Sequence, residues 1–92
     1  MIKPQVNVYY QHRYGGIYMV QDIAKSTIDQ SKWVVYVHVF PFQYETWIRP
    51  YDEWADGRFR ALAPGEYDEI LRTEDRTAFQ EKITATRKAA KG

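Results

Sequence analysis

Five residues stand out for chemistry: Tyr10, His12, Tyr18, Trp47 and Arg49. Histidine changes charge closest to neutral pH, so His12 is a candidate proton switch. Arginine is a permanent cation whose planar donor fork suits phosphate or carboxylate. Trp47 lies two residues before Arg49, so on a strand both side chains share a face. Stacked aromatics beside an arginine are what a nucleotide-like ligand or a short single-stranded segment requires. The plainer alternative has His12 capping a backbone carbonyl, Trp47 packed in the core, and Arg49 paired with Glu45 or Asp52. Core packing alone poorly explains an arginine placed among aromatics, so the five are read together as a ligand-binding set.

Other chemistries are thinly supplied. Gly15-Gly16 reads as a turn, because phosphate-cradling glycines normally open a helix. Ser26 and Ser31 lie in a polar stretch without an activating motif. The acid pairs Asp52-Glu53 and Asp68-Glu69 read as solvated. His12 and His38 fall on different strands with no carboxylate at ligand spacing, so neither a metal nor another cofactor is implied, and no catalytic constellation emerges. Arg87, Lys88 and Lys91 read as cations stabilising the end of a helix.

The elements that must position these residues are mostly strands. Gln5–Tyr14 is expected as a first strand, turning at Gly15-Gly16 into a partner over Ile17–Ala24. Placing Tyr14 opposite Ile17 puts Val6, Val8, Tyr10, His12 and Tyr14 on one face with Ile17, Met19, Gln21 and Ile23. Lys25–Ser31 is a loop. Lys32–Phe40 is the clearest strand, apolar on both faces and therefore interior to the sheet. Tyr44–Arg49 returns as a fourth strand, ended by Pro50. Tyr51–Trp54 fits one helical turn, Asp56-Gly57 a turn, and Arg58–Leu62 a last strand. Beyond Ala63-Pro64-Gly65 the chain becomes helix-like, with Thr73 or Asp75 as a cap and Phe79 and Ile83 forming a narrow apolar stripe. The expected fold is mainly β (β+α): a small, strongly bent antiparallel sheet or SH3-like barrel with a C-terminal α-helix. Residues 1–65 would form the β-rich domain and residues 66–92 a helical extension packed on it or projecting from it.

Composition narrows the function class. Ninety-two residues allow one modest core. Of the 15 Phe, Tyr and Trp residues, 13 lie between Tyr9 and Phe59, so the aromatic chemistry belongs to the β-rich part. A net charge of +1 gives no strong duplex nucleic-acid signature. With no cysteine there are no disulfides, thiol nucleophiles or cysteine zinc sites. No apolar run approaches a membrane span, and Met-Ile-Lys-Pro lacks a signal-peptide core, so a cytoplasmic location is expected. A small open sheet leaves exposed edges compatible with a dimer, and nothing selects an oligomeric state.

Three separated motifs carry a family resemblance: Tyr10-x-His12-x-x-Gly15-Gly16-x-Tyr18-x-Val20, Val34-Val35-Tyr36, and Trp47-Ile48-Arg49-Pro50 with an aromatic, Trp54, four residues after the proline. In this order they resemble the DUF1653 family of small bacterial and phage proteins, over roughly Tyr10 to Phe59. The chain departs from that pattern at Arg13-Tyr14, where aromatic and basic residues are exchanged, at Pro41-Phe42-Gln43, where a glycine-rich turn is common, and in the helical tail. The resemblance implies a compact β-rich fold and carries over no catalytic residue. The expected function is a non-enzymatic binding domain presenting an aromatic and arginine cleft to a small anionic or nucleotide-like ligand. In a phage setting, such a domain would sequester that ligand. The alternative is an SH3-like protein-interaction module binding a protein partner through its sheet or its C-terminal helix.

Overall fold

In the computed structural model, described over residues 4–54 and 57–91, five strands form one antiparallel sheet. The elements are β1 (Tyr9–His12), β2 (Ile17–Lys25), β3 (Lys32–Phe40), β4 (Thr46–Pro50), α1 (Tyr51–Trp54), β5 (Phe59–Ala61), α2 (Glu66–Thr73) and α3 (Arg76–Lys91). The strand order is β4-β3-β2-β1-β5. The sheet has two edges and does not close, so the architecture is the bent open sheet rather than a barrel. Partner shifts between Ile17 and Tyr18 and between Val20 and Asp22 interrupt the β2–β3 ladder. Such irregularities bend a sheet and increase its twist.

The first hairpin corrects the sequence expectation. β1 has four residues rather than ten, because Asn7 adopts a left-handed conformation with φ 67°, which asparagine tolerates better than most residues. The turn is a four-residue loop, Arg13–Gly16, closed by the His12 N–H donating to the Gly16 carbonyl and the Gly15 N–H donating to the His12 carbonyl, both at 2.8 Å. A longer hairpin would have used the Tyr14 N–H in its ladder; here that group donates to His12 Nδ1 at 3.1 Å. Tyr10 therefore faces Tyr18, and Gln11 faces Ile17. Tyr10 and His12 share a face with Tyr18 and Val20, not with Ile17 and Met19. Asp56 of the expected Asp56-Gly57 turn, and the side chain of Lys91, lie outside the described residues.

The single core expected from the chain length is divided into two small clusters, one on each face of the sheet. On one, Tyr10, Val20, Val34 and Tyr36 pack with Phe59 and with Trp54 from α1. On the other, Ile17, Val37, Val39 and Phe40 pack with Tyr67 and Ile70 of α2 and with Phe79 of α3. The tail is two helices rather than one, because Glu74 is extended (φ −98°, ψ 131°). Asp75 Oδ2 then accepts the Ala78 N–H at 2.9 Å, a side-chain cap for the start of α3. The Phe79–Ile83 stripe lies against the first hairpin: Ile83 is fully buried, and Phe79 meets Phe40 with ring centroids 5.6 Å apart. Arg76 Nε and Gln80 Nε2 both donate to the Pro41 carbonyl at 2.7 Å, fixing α3 beside the β3–β4 connection.

Gly15 makes that packing possible. Its φ is 114°, and a Cβ there would lie 3.0 Å from Ile83 Cγ1 and 3.2 Å from Phe79 Cε1. Gly15→Ala is expected to cost about 1–3 kcal/mol through backbone strain and displacement of α3. Urea denaturation of the variant checks this, and an unchanged midpoint would show that α3 does not depend on the close approach.

Candidate functional site

Strand register gathers the candidate residues on one face. His12 faces Phe59 across β1–β5, Tyr18 faces His38 across β2–β3, and Tyr36 faces Trp47 across β3–β4 with Val34 facing Arg49. Because paired residues project to the same side, Tyr10, His12, Tyr18, Trp47 and Arg49 all belong to this face. They do different things there. Tyr10 is 1% exposed and does not reach the surface. Its ring meets Trp54 edge-on at 5.3 Å, and its hydroxyl accepts the Gln5 N–H at 2.8 Å. The other four open onto two neighbouring clefts.

The first cleft, of about 410 Å³, lies over His12, Tyr18 and Arg49, with Tyr14, Tyr36 and Phe59 completing its aromatic wall and Arg87 entering from α3. Arg49 lies with its guanidinium carbon 5.6 Å from the Phe59 ring centroid. Its Nε reaches the Tyr36 hydroxyl, and its Nη1 reaches Glu53 Oε1, each at 3.4 Å. The carboxylate partner is thus Glu53 rather than Glu45 or Asp52. Both contacts are long for hydrogen bonds, which leaves most of the guanidinium's donor capacity uncommitted. Arg58 lies 3.8 Å from the same Glu53 carboxylate.

The second cleft, of about 500 Å³, shares Tyr18 and Arg87 with the first and adds His38, Phe42, Glu45 and Trp47. Trp47 is half exposed, so it is not a core residue. The Arg87 guanidinium carbon lies 5.3 Å from the Phe42 ring centroid, and the Arg87 charge acts on the Tyr18 phenol. Tyr18 therefore stands on the divide between the clefts, its ring 4.6 Å from His38 and perpendicular to it.

The electrostatics favour an anion. Burial, then the charges of Arg49, Arg13, Arg58 and Arg87, lower the His12 pKa to about 4. Instead of switching near neutral pH, His12 stays neutral and accepts the Tyr14 N–H rather than capping a carbonyl. His38 is likewise lowered to about 4, by burial first and by Arg87 and Arg76. Its Nε2 accepts the Phe42 N–H at 3.1 Å. Burial raises the Tyr18 phenol pKa, with Arg87 pulling in the opposite direction, so Tyr18 remains a neutral hydroxyl. The site thus combines permanent guanidinium charge with neutral donors and aromatic walls. Among the described residues, no group of three or more His, Cys, Asp or Glu side chains could hold a metal ion, and no helix is long and apolar enough to cross a membrane.

Arg87 lines both clefts, whereas the sequence reading assigns it to the stabilisation of a helix end. The signal was present in its spacing. Phe79, Ile83 and Arg87 are four residues apart in succession, so the stripe that docks α3 delivers Arg87 to the sheet one turn later. Tyr14, Tyr36 and Phe59 are further lining groups outside the sequence reading, and Phe59 arrives only through the β1–β5 pairing. No family model, curated protein or solved structure matches the chain.

Proposed function

We propose that this is a non-enzymatic binding domain that holds a small anionic, nucleotide-like ligand in the cleft between the sheet and α3. The observation that carries the reading is the approach of Arg49 from β4 and Arg87 from α3 to one aromatic-walled cleft. Two guanidinium groups supply bidentate, charge-assisted hydrogen bonds to a phosphate, and the surrounding rings supply a stacking surface. Sequestering the ligand needs nothing further. The DUF1653 resemblance is kept as part of this proposal, supported by the common sheet face of Tyr10, His12, Tyr18, Tyr36, Trp47 and Arg49 from its three motifs.

Thermal unfolding with mono-, di- and cyclic nucleotides and short single-stranded oligonucleotides tests it. A ligand at 100 times its Kd adds about 2.7 kcal/mol of stability, several degrees for a domain of this size. Arg49→Ala and Arg87→Ala should each weaken binding about 10–150-fold, the worth of a hydrogen bond to a charged group. The Arg49 variant should unfold within about 1 kcal/mol of the wild type, because its exposed pair with Glu53 contributes little. A flat screen would reject the reading.

A second reading, a protein-interaction module, has one specific observation in its favour. β4 is an edge strand, and its Trp47 and Ile48 are 50% and 63% exposed, an arrangement that an added strand from a protein partner could cover. Capture of a partner that is insensitive to nuclease and free nucleotides, and lost on Ile48→Lys, would favour it.

A further inference from the structure

The two clefts differ in chemistry in a way that orients a ligand. The first is lined by Arg49 and Arg87, and the Glu53 carboxylate, 3.4 Å from Arg49 Nη1, is not among its lining residues. The second contains Glu45, which disfavours an anion, together with the Gln43 amide and the rings of Phe42 and Trp47. Trp47 is half exposed and makes no ring–ring contact among the described residues, so its face is open for stacking. A carboxylate accepts hydrogen bonds, and an amide both donates and accepts. Together they suit the edge of a nitrogen heterocycle. The clefts meet at Tyr18 and Arg87.

We propose that the ligand is a nucleoside 5′-phosphate lying across Tyr18, with its phosphate between Arg49 and Arg87 and its base against Trp47 and Phe42, edge-on to Glu45 and Gln43. This rests on the binding function proposed above and adds the base compartment. The phosphate avoids Glu45, and the base finds the open aromatic face. Arg87 serves both halves: its charge borders the phosphate cleft, and its stacking on Phe42 shapes the base cleft. Base–aromatic stacking is sequence-tolerant, so Trp47 contributes affinity for any base.

The test is calorimetric titration of the protein with ribose 5-phosphate and with the four ribonucleoside 5′-monophosphates, repeated on Trp47→Ala and Trp47→Phe. The tightest nucleotide should bind the wild type about 5–150-fold better than ribose 5-phosphate, the worth of one stacked base. Trp47→Ala should erase that advantage while leaving ribose 5-phosphate binding unchanged, and Trp47→Phe should restore most of it. Equal binding of all four nucleotides and ribose 5-phosphate would overturn the base compartment and leave the anion-binding function standing. An unchanged nucleotide advantage in Trp47→Ala would also overturn it. If neither ribose 5-phosphate nor any nucleotide binds, both readings fall.

Discussion

Trp54→Ala should cost about 3–5 kcal/mol, the range for removing a large aromatic from a core. Domains of this kind have roughly 0.05–0.15 kcal/mol of stability per residue, so the loss is a large share of the total. Trp54 is fully buried. It stacks on Phe59 with centroids 3.8 Å apart and planes within 7°, and Tyr36 meets it edge-on at 4.8 Å. Phe59 and Tyr36 are in turn lining residues of the first cleft, so the indole supports the site from beneath. Among the described residues its Nε1 is buried without a hydrogen-bond partner, and ring packing holds the position. Trp54→Phe keeps the stacking and removes that unpaired N–H, whose burial is unfavourable, so it should cost less than about 1.5 kcal/mol. Thermal melts distinguish the two variants. Trp54→Ala should lower Tm by more than about 12 °C, and a shift below 5 °C would mean that Phe59 and Tyr36 hold the cleft without it.

The same residues show how much of the molecule was legible in the chain. Lys32–Phe40 was read with its observed bounds, because a run of β-branched and aromatic residues fits a pleated strand with neighbours on both sides. The turn after it, the short helix at Tyr51–Trp54 and the docking stripe of Phe79 and Ile83 were equally local signals. The first hairpin departs from its sequence pattern where two local choices compete. Asn7 turned the backbone early, and His12 Nδ1 captured the Tyr14 N–H that a longer ladder needed. That slip changed the face assignment and brought Tyr10 and His12 beside Tyr18. The β1–β5 pairing joins residues about 50 positions apart, and no local pattern encodes it. Of the five site candidates, four reach the clefts. Tyr10 has the same alternation as His12, but it sits further into the sheet, where Trp54 covers it.

Acidification should destabilise the fold over a defined window, and this is the second large effect expected. Both histidines are lowered from 6.5 to about 4. Below pH 6.5 the unfolded chain takes up protons that the folded chain refuses. Their stabilising contribution is therefore complete above pH 6.5, is lost progressively as pH falls to 4, and changes little further below that. For the buried His38 the loss approaches about 3 kcal/mol at 1.36 kcal/mol per pH unit, and the half-buried His12 adds a smaller amount. The groups responsible are identifiable. Burial dominates at both sites, with Arg49, Arg13, Arg58 and Arg87 acting on His12 and Arg87 and Arg76 on His38, while the Phe40 backbone bond partly opposes the shift at His38. Urea denaturation at pH 7.5, 5.5 and 4.5 should show the decline, and His38→Gln should flatten most of it. A decline of less than 1 kcal/mol across that range would show that the histidines are not held neutral. The cleft adds a second consequence with the opposite sign. An anion bound beside Arg49 offsets the arginine field at His12 while burial, the larger cause, remains, so the His12 pKa rises from about 4 and affinity for a ligand of fixed charge should increase as pH falls toward 4. Calorimetry in buffers of different ionisation enthalpy would register the accompanying proton uptake, and its absence would place the anion away from His12.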